Sequence, residues 1–233
     1  KKYFDRMDNK WTIVKSNFSD IQKSLKNIGI DGVVYDLGMS SRQIEVSGRG
    51  FSFRKTEDLD MRMDKDITVK AQDLLKALSE SELEKLFSIY GEERFSRRIA
   101  RSVKGWVKEN TDKQMTTDIL VNLIRRVVPA GYRDGSKHPA RRVFQSLRIA
   151  VNDEINTLRA GLTSALSMLR SNGRVVVVSY HSLEDRVVKQ VFTEAEESTK
   201  IKIVTKKPVV PTSEEIIRNN RARSAKLRVI EKI

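Results

Sequence analysis

Several short runs of the chain concentrate side chains able to hold or transform a ligand. The first is DLGMSSRQ, Asp36 to Gln43. A carboxylate followed by glycine and small hydroxyl residues leaves room for a ligand and offers both acceptors and donors, so Asp36, Ser40 and Ser41 are candidate contacts. An aspartate that only caps a loop is the competing reading. The second run is RGFSFRKTEDLDMRMD, Arg49 to Asp64. Its Phe51 and Phe53 can stack on unpaired bases beside Arg49, or pin the loop to a core. Asp58, Asp60 and Asp64 alternate with Arg54 and Arg62, a pattern of internal ion pairs rather than of a metal site. The third run, YGEERFSRRIAR, places Arg97, Arg98 and Arg101 on one helix. They form either a phosphate-contacting surface or an ordinary solvated face. The fourth, SYHSLEDR, carries His181 and Arg186. The chain has 2 histidines and no cysteine, and no ligand pair stands at zinc spacing, so no metal is expected. A Ser-His-Asp hydrolase lacks its GxSxG elbow here. The last run, NNRARSAKLRV, offers Arg221, Arg223 and Lys226 as a phosphate-contacting tail or a basic edge strand.

These runs need elements to hold them. Gly32 to Asp36 (GVVYD) is a continuous apolar stretch ending in a carboxylate, the pattern of a parallel strand buried on both faces. Before it, Trp11 to Val14 reads as a strand, and Phe18, Ile21, Leu25 and Ile28 recur at helical spacing up to Gly29. Together they predict one strand–helix–strand unit. Residues 37 to 66 lack a period and leave the carboxyl end of a parallel strand, where α/β folds bind ligands. Helices follow. Thr68 can cap one, Ser79 and Glu82 form a capping box for the next, and Gly91 closes it. Phe95, Ile99, Val103 and Trp106 line one face of a third, Thr117 to Val128 is a fourth, and Pro139 opens a helical stretch reaching Leu169. Then Arg174 to Ser179 is a second buried strand, Ser182 to Glu196 a helix, and Ile201 to Thr205 and Lys226 to Ile230 two final strands. The predicted class is α/β. An open sheet, residues 1–68 and 144–233, is interrupted by a helical insertion at 69–143.

The bulk numbers sharpen this. The net charge of +14 is segregated: residues 92–148 hold 14 basic against 6 acidic side chains, and residues 200–233 hold 10 against 3. Positive charge in blocks is the footprint of a polyanion, because neutralising phosphates releases counterions. The absence of cysteine excludes disulfides and suits a reducing compartment. No apolar run approaches the roughly 20 residues of a membrane helix, and Lys1 to Lys10 has no apolar stretch behind it as a secretory signal would. A cytoplasmic protein is therefore expected.

Taken together, DLGMSS, RGFSFR, LDMRMD, YGEERFSRRIA, HPARRVFQSLRIAVNDE, SYHSLEDR and PTSEEIIRNNRARSAKLRV resemble the bacterial 16S rRNA (cytosine-N(4))-methyltransferase family of the RsmH/MraW type. The pieces stand in the family's order from residue 12 to the C-terminus. The resemblance implies a Rossmann-like S-adenosyl-L-methionine-dependent methyltransferase core carrying an inserted all-α RNA-recognition domain. It implies methyl transfer to the exocyclic amine of a cytidine in the small ribosomal subunit, and a homodimer. It places Phe18, Asp36 and Gln43 at cofactor contacts, and it makes Asp36, with the Leu37 and Gly38 carbonyls, the candidate catalytic acceptor. Three departures stand out: Arg42 where the family commonly has Pro, Glu45 where it has Asp, and Tyr180 where it has Phe. None is expected to touch a cofactor-assigned residue. The family opens with a strand and a Gly-containing turn. No such turn precedes Asp36, so the core is expected to lack its first βαβ unit. The competing readings are a non-catalytic rRNA-binding or ribosome-assembly module, and a nicotinamide oxidoreductase that would leave the basic blocks unexplained.

Overall fold

The apolar periods of the sequence resolve into strands and helices in the computed structural model, which describes residues 12–26, 28–40, 48–135, 137–198 and 200–233. In chain order they are α1 (Ile21–Ser24), β1 (Ile30–Asp36), α2 (Ala71–Ala77), α3 (Glu80–Gly91), α4 (Ser96–Glu109), α5 (Thr117–Val127), α6 (Ala130–Arg133), α7 (Arg141–Val151), α8 (Glu154–Met168), β2 (Leu169–Ser179), α9 (Ser182–Ser198), β3 (Ile201–Ile203), α10 (Ser213–Arg218) and β4 (Lys226–Lys232). Among them no helix is long and apolar enough to cross a membrane. The chain divides into a sheet unit, Lys1–Gly38 with Ile155–Ile233, and a helical unit, Met39–Glu154.

In the sheet unit the strand order is β1-β2-β4-β3. β1 runs parallel to β2, with Asp36 opposite Val178, and β4 runs antiparallel to both β2 and β3. Side chains alternate across a strand. Tyr35, Val175, Val177 and Ile230 point into a core filled by Leu158 and Leu162 of α8 and Val188 and Phe192 of α9. The opposite face is less fully covered by the described residues. Val34 is 72% exposed, and Val176 and Val178 are half-buried. The expectation that GVVYD and RVVVVS are buried on both faces is therefore corrected. Among the described residues α8 and α9 fill the same core, so burial follows a period of two.

Two further expectations change at the front. Trp11 lies outside the described residues, and Thr12 to Val14 form no strand; Ile13 is 70% and Val14 53% exposed. The expected helix through Ile28 stops at Ser24. Lys26 takes a left-handed φ of 49° and ends the turn, so Gly29 is not its cap. The strand–helix–strand unit predicted there is thus not formed by the described residues.

The helical unit builds its own core. Leu75, Leu83, Phe87, Ile99, Leu120, Ile124 and Leu147 are all fully buried. The predicted capping box at α3 is present: Glu82 N–H donates to Ser79 Oγ, and Ser79 N–H to Glu82 Oε2 at 2.8 Å. α3 ends at Gly91, as the sequence predicts. Glu92 takes the left-handed position, while a Cβ on Gly91 would stand 2.7 Å from the Arg142 carbonyl oxygen, so Gly91 lets α3 and α7 approach. α2 begins at Ala71, where Asp73 accepts the Lys70 N–H, rather than after Thr68. The stretch expected to be helical from Pro139 to Leu169 breaks at Asp153, which has φ 46°.

The unit boundary also differs from the predicted 69–143 insertion, because the aperiodic loop belongs to the helical unit. Leu59 and Met61 are fully buried in its core. Asn152 clamps the loop, donating to the Met61 carbonyl at 2.8 Å and accepting the Met63 N–H at 2.7 Å. Asp60 pairs with Arg62 through two hydrogen bonds, which holds the Asp60 carboxyl below its ordinary range. That is the internal ion pairing the sequence pattern suggested.

Candidate active site and nucleic-acid surface

The parallel pairing of β1 with β2 brings two of the chemistry-bearing runs to one edge of the sheet. Asp36 ends β1 and is exposed on its less covered face, the face of Val34. Its Oδ1 accepts the Tyr180 hydroxyl at 2.8 Å, just beyond the end of β2. Its Oδ2 has no partner among the described residues. Tyr180 is one of the three residues that depart from the family pattern, so the expectation that no departure touches a cofactor-assigned position is overturned. A phenylalanine could not make this bond. Burial first, and then the Asp36 carboxylate, push the Tyr180 hydroxyl up to about 12, so it stays a neutral donor. Gly38, with φ 97°, then turns the chain left-handed beside the Tyr180 ring.

Below this edge, the start of α9 is built around Glu184. It is 4% exposed, and its Oε2 accepts the Tyr180 N–H at 2.9 Å and the His181 N–H at 3.3 Å, which satisfies free amides at a helix start. His181 Nδ1 accepts the Glu184 N–H at 3.3 Å, and its Nε2 lies 3.1 Å from Glu184 Oε1 without a hydrogen bond. The ring is largely enclosed, so the structure places His181 inside the turn that carries Tyr180. Arg186 is exposed. Phe18 lies on the other face of β1. Its ring meets Tyr35 edge-on at 5.6 Å and packs so close to α8 that a Cβ on Gly161 would stand 2.7 Å from it. Phe18 and Asp36 therefore flank β1 rather than touch each other. Gln43 and Ser41, with the departures Arg42 and Glu45, lie outside the described residues.

Lys226 stands opposite Ser179 at the same edge of the sheet; Arg221 and Arg223 are exposed, whereas Lys226 is not an open contact. Its ammonium donates to Asp185 Oδ2 at 3.0 Å, and Arg228 donates to Asp185 Oδ1 at 2.7 Å. Burial raises the Asp185 carboxyl, but the Arg228 and Lys226 hydrogen bonds outweigh it and leave a net lowering. This half-buried triad ties α9 to β4, and the sequence reading missed it.

In the helical unit the phosphate candidates are sorted by what holds them. Arg97 and Arg98 are exposed and make no ion pair among the described residues, and Arg101 reaches Glu80 at 3.3 Å. All three line one open cleft with Ser102 and Val127, of about 650 Å3. Arg49 is committed to the loop, donating to the Arg62 and Met63 carbonyls at 2.7 and 3.0 Å beside Phe51. Phe51 and Phe53 both pack on the helical core, the plainer of the two readings given to them. Ser40 is exposed.

Sequence reasoning passed over Tyr180, Glu184, Glu93 and Tyr132. The available signal was position: Tyr180 and Glu184 follow a strand's carboxyl end. Nothing local marks Glu93 as 2% exposed.

An exposed carboxylate whose second oxygen has no partner among the described residues can accept a hydrogen bond from a ligand hydroxyl or amine. The family model described as the MraW methylase family matches residues 1–233. The ribosomal RNA small subunit methyltransferase H of Brevibacillus brevis is 42% identical over 249 residues, covering 99% of this chain and 77% of the relative. With its chemistry-bearing runs in order, its parallel strand pair closing on Asp36 and the family match running its whole length, the chain belongs to the MraW methylase family.

Proposed function

We propose that this chain transfers the methyl group of S-adenosylmethionine to the exocyclic N4 amine of a cytidine in 16S ribosomal RNA, on a Rossmann-like core. The observation that carries the reading is Asp36, exposed at the carboxyl end of β1 with one oxygen fixed by Tyr180 and the other without a partner among the described residues. The bound cofactor supplies an electrophilic methyl group on a sulfonium. The cytosine amine is a weak nucleophile because its lone pair is delocalised into the ring. Positioning is therefore the main task, and good alignment can contribute roughly 7 to 11 kcal/mol. Tyr180 holds the carboxylate in one orientation, and Asp36 Oδ2, with the Leu37 and Gly38 carbonyls nearby in the chain, accepts hydrogens of the amine as the new bond forms. The base must be out of its stack, which costs least in an unpaired loop. Arg97, Arg98 and Arg101 contact phosphates of the same RNA.

The test is methyl incorporation from labelled S-adenosylmethionine into small ribosomal subunits or their RNA. The wild-type chain should transfer, and Asp36→Asn should lose most of the turnover. Full turnover by Asp36→Asn with unchanged cofactor affinity would remove Asp36 from the chemistry. RNA binding with no transfer by the wild type would favour an assembly module instead. Replacing Arg97, Arg98 and Arg101 by Ala should reduce the slope of log affinity against log salt by about 2, and an unchanged slope would take that helix out of the interface.

A further inference from the structure

Just ahead of α4, Phe95 and Tyr132 meet edge to face with centroids 5.0 Å apart. The Arg94 guanidinium sits over this pair, 4.6 Å from the Phe95 centroid and 5.9 Å from that of Tyr132. Arg94 is exposed and makes no ion pair among the described residues. The mount beneath it is rigid. Buried Glu93 accepts the Phe95 N–H at 2.9 Å through Oε1 and the Tyr132 hydroxyl at 2.7 Å through Oε2. Burial followed by Glu93 pushes that hydroxyl up to about 12, so it remains an uncharged donor. A surface arginine that only needed solvent would not require this support.

An exposed guanidinium anchored against aromatic rings keeps part of its planar surface open to solvent. That open surface is planar and cationic, as a stacking partner for a nucleobase must be, and arginine planes and aromatic rings are the platforms on which unpaired bases stack. Arg98 follows four residues later on α4, exposed and without an ion pair among the described residues, and can meet an adjoining phosphate. A simple phosphate contact would need only charge, and Lys would serve as well. A base-stacking contact needs the plane.

We infer that Arg94, on its Phe95–Tyr132 mount, is a stacking subsite for an unpaired nucleobase of the RNA substrate, with Arg98 holding the neighbouring phosphate. The inference rests on the RNA reading above. It is tested on the full chain by fluorescence anisotropy with a labelled single-stranded oligoribonucleotide of roughly twelve nucleotides and a duplex of equal length. Arg94→Lys should keep the salt slope of the wild type and its duplex affinity, yet lose roughly five- to tenfold in single-strand affinity. Arg94→Trp, which keeps a plane and drops a charge, should retain more single-strand affinity than Arg94→Ala. Equal losses on both RNAs, or an Arg94→Lys protein indistinguishable from wild type, would overturn the subsite and leave the RNA reading standing. A wild-type chain that binds neither RNA would sink both together. Thermal melting of each variant checks that the exposed substitution leaves the fold intact.

Discussion

Phe87 in the helical unit has no exposed surface, whereas Val34 in the sheet unit is 72% exposed although it lies at the centre of the most apolar stretch near the front of the chain. The two units bury by different rules. In the helical unit, apolar stripes from α2, α3, α4, α5 and α7 converge, and the loop residues Leu59 and Met61 complete the core. What is left over is a charged exterior bearing Arg94, Arg97 and Arg98. In the sheet unit, α8 and α9 cover one face, and the other face of β1 presents Val34 and Asp36. In each unit the candidate ligand contacts are the residues that packing did not use. The difference between them is chemical: a planar, cationic surface suited to a polyanion in one, and a single oriented carboxylate in the other.

That contrast can be broken in several ways. The largest expected effect is Phe87→Ala, which should destabilise the helical unit by about 3 to 5 kcal/mol, because the vacated volume has no solvent to fill it. Val34→Ala should change stability by no more than about 0.5 kcal/mol. Denaturant titrations of both variants measure the gap, and a comparable loss at Val34 would mean its face is covered after all. Next, Asp185→Asn should cost the sheet unit about 3 kcal/mol, since it leaves the buried Arg228 guanidinium without its counter-charge. A neutral result by thermal melting would make the triad a surface contact. Smaller again, Tyr180→Phe removes the one hydrogen bond that orients Asp36 among the described residues. A bond of about 1 kcal/mol corresponds to roughly fivefold in kcat, with KM for RNA and thermal stability unchanged, and an unaltered kcat would show that Tyr180 does not position Asp36. The smallest is a response to acid. Asp60 and Asp185 both have carboxyls lowered by cationic partners. Their contribution to stability is fully present above the unfolded aspartate value of about 3.9 and is lost as pH falls through their lower folded values. Melting temperature should fall below about pH 4, and less steeply in Asp185→Asn; identical acid slopes would exclude the triad.

Much of this was legible in the residues because it is local. The capping box at Ser79 and Glu82 needs only two side chains three positions apart. The stripe Phe95, Ile99, Val103 and Trp106 marks a helix face by spacing alone, and Val175 to Val178 marks a strand. The errors share one cause. An apolar run does not say how many of its faces will be covered, so GVVYD and RVVVVS were overburied, and Trp11 to Val14 was given a strand with no partner among the described residues. Gly91 closes its helix as its type suggests, but the close approach of Arg142, far along the chain, cannot be read from local sequence.

The chain's own sequence determined its helices and strands, the blocks of positive charge, the carboxylate at the end of β1 and membership in a methylase family, because each depends on residue type and near spacing. Tertiary structure alone decided that Tyr180 would bond Asp36 across 144 positions, that Lys226 and Arg228 would be spent on Asp185, and that Arg94 would stand on an aromatic mount above a buried Glu93. Those pairings form between residues distant in the chain, and only the packing of whole elements brings them within hydrogen-bonding reach.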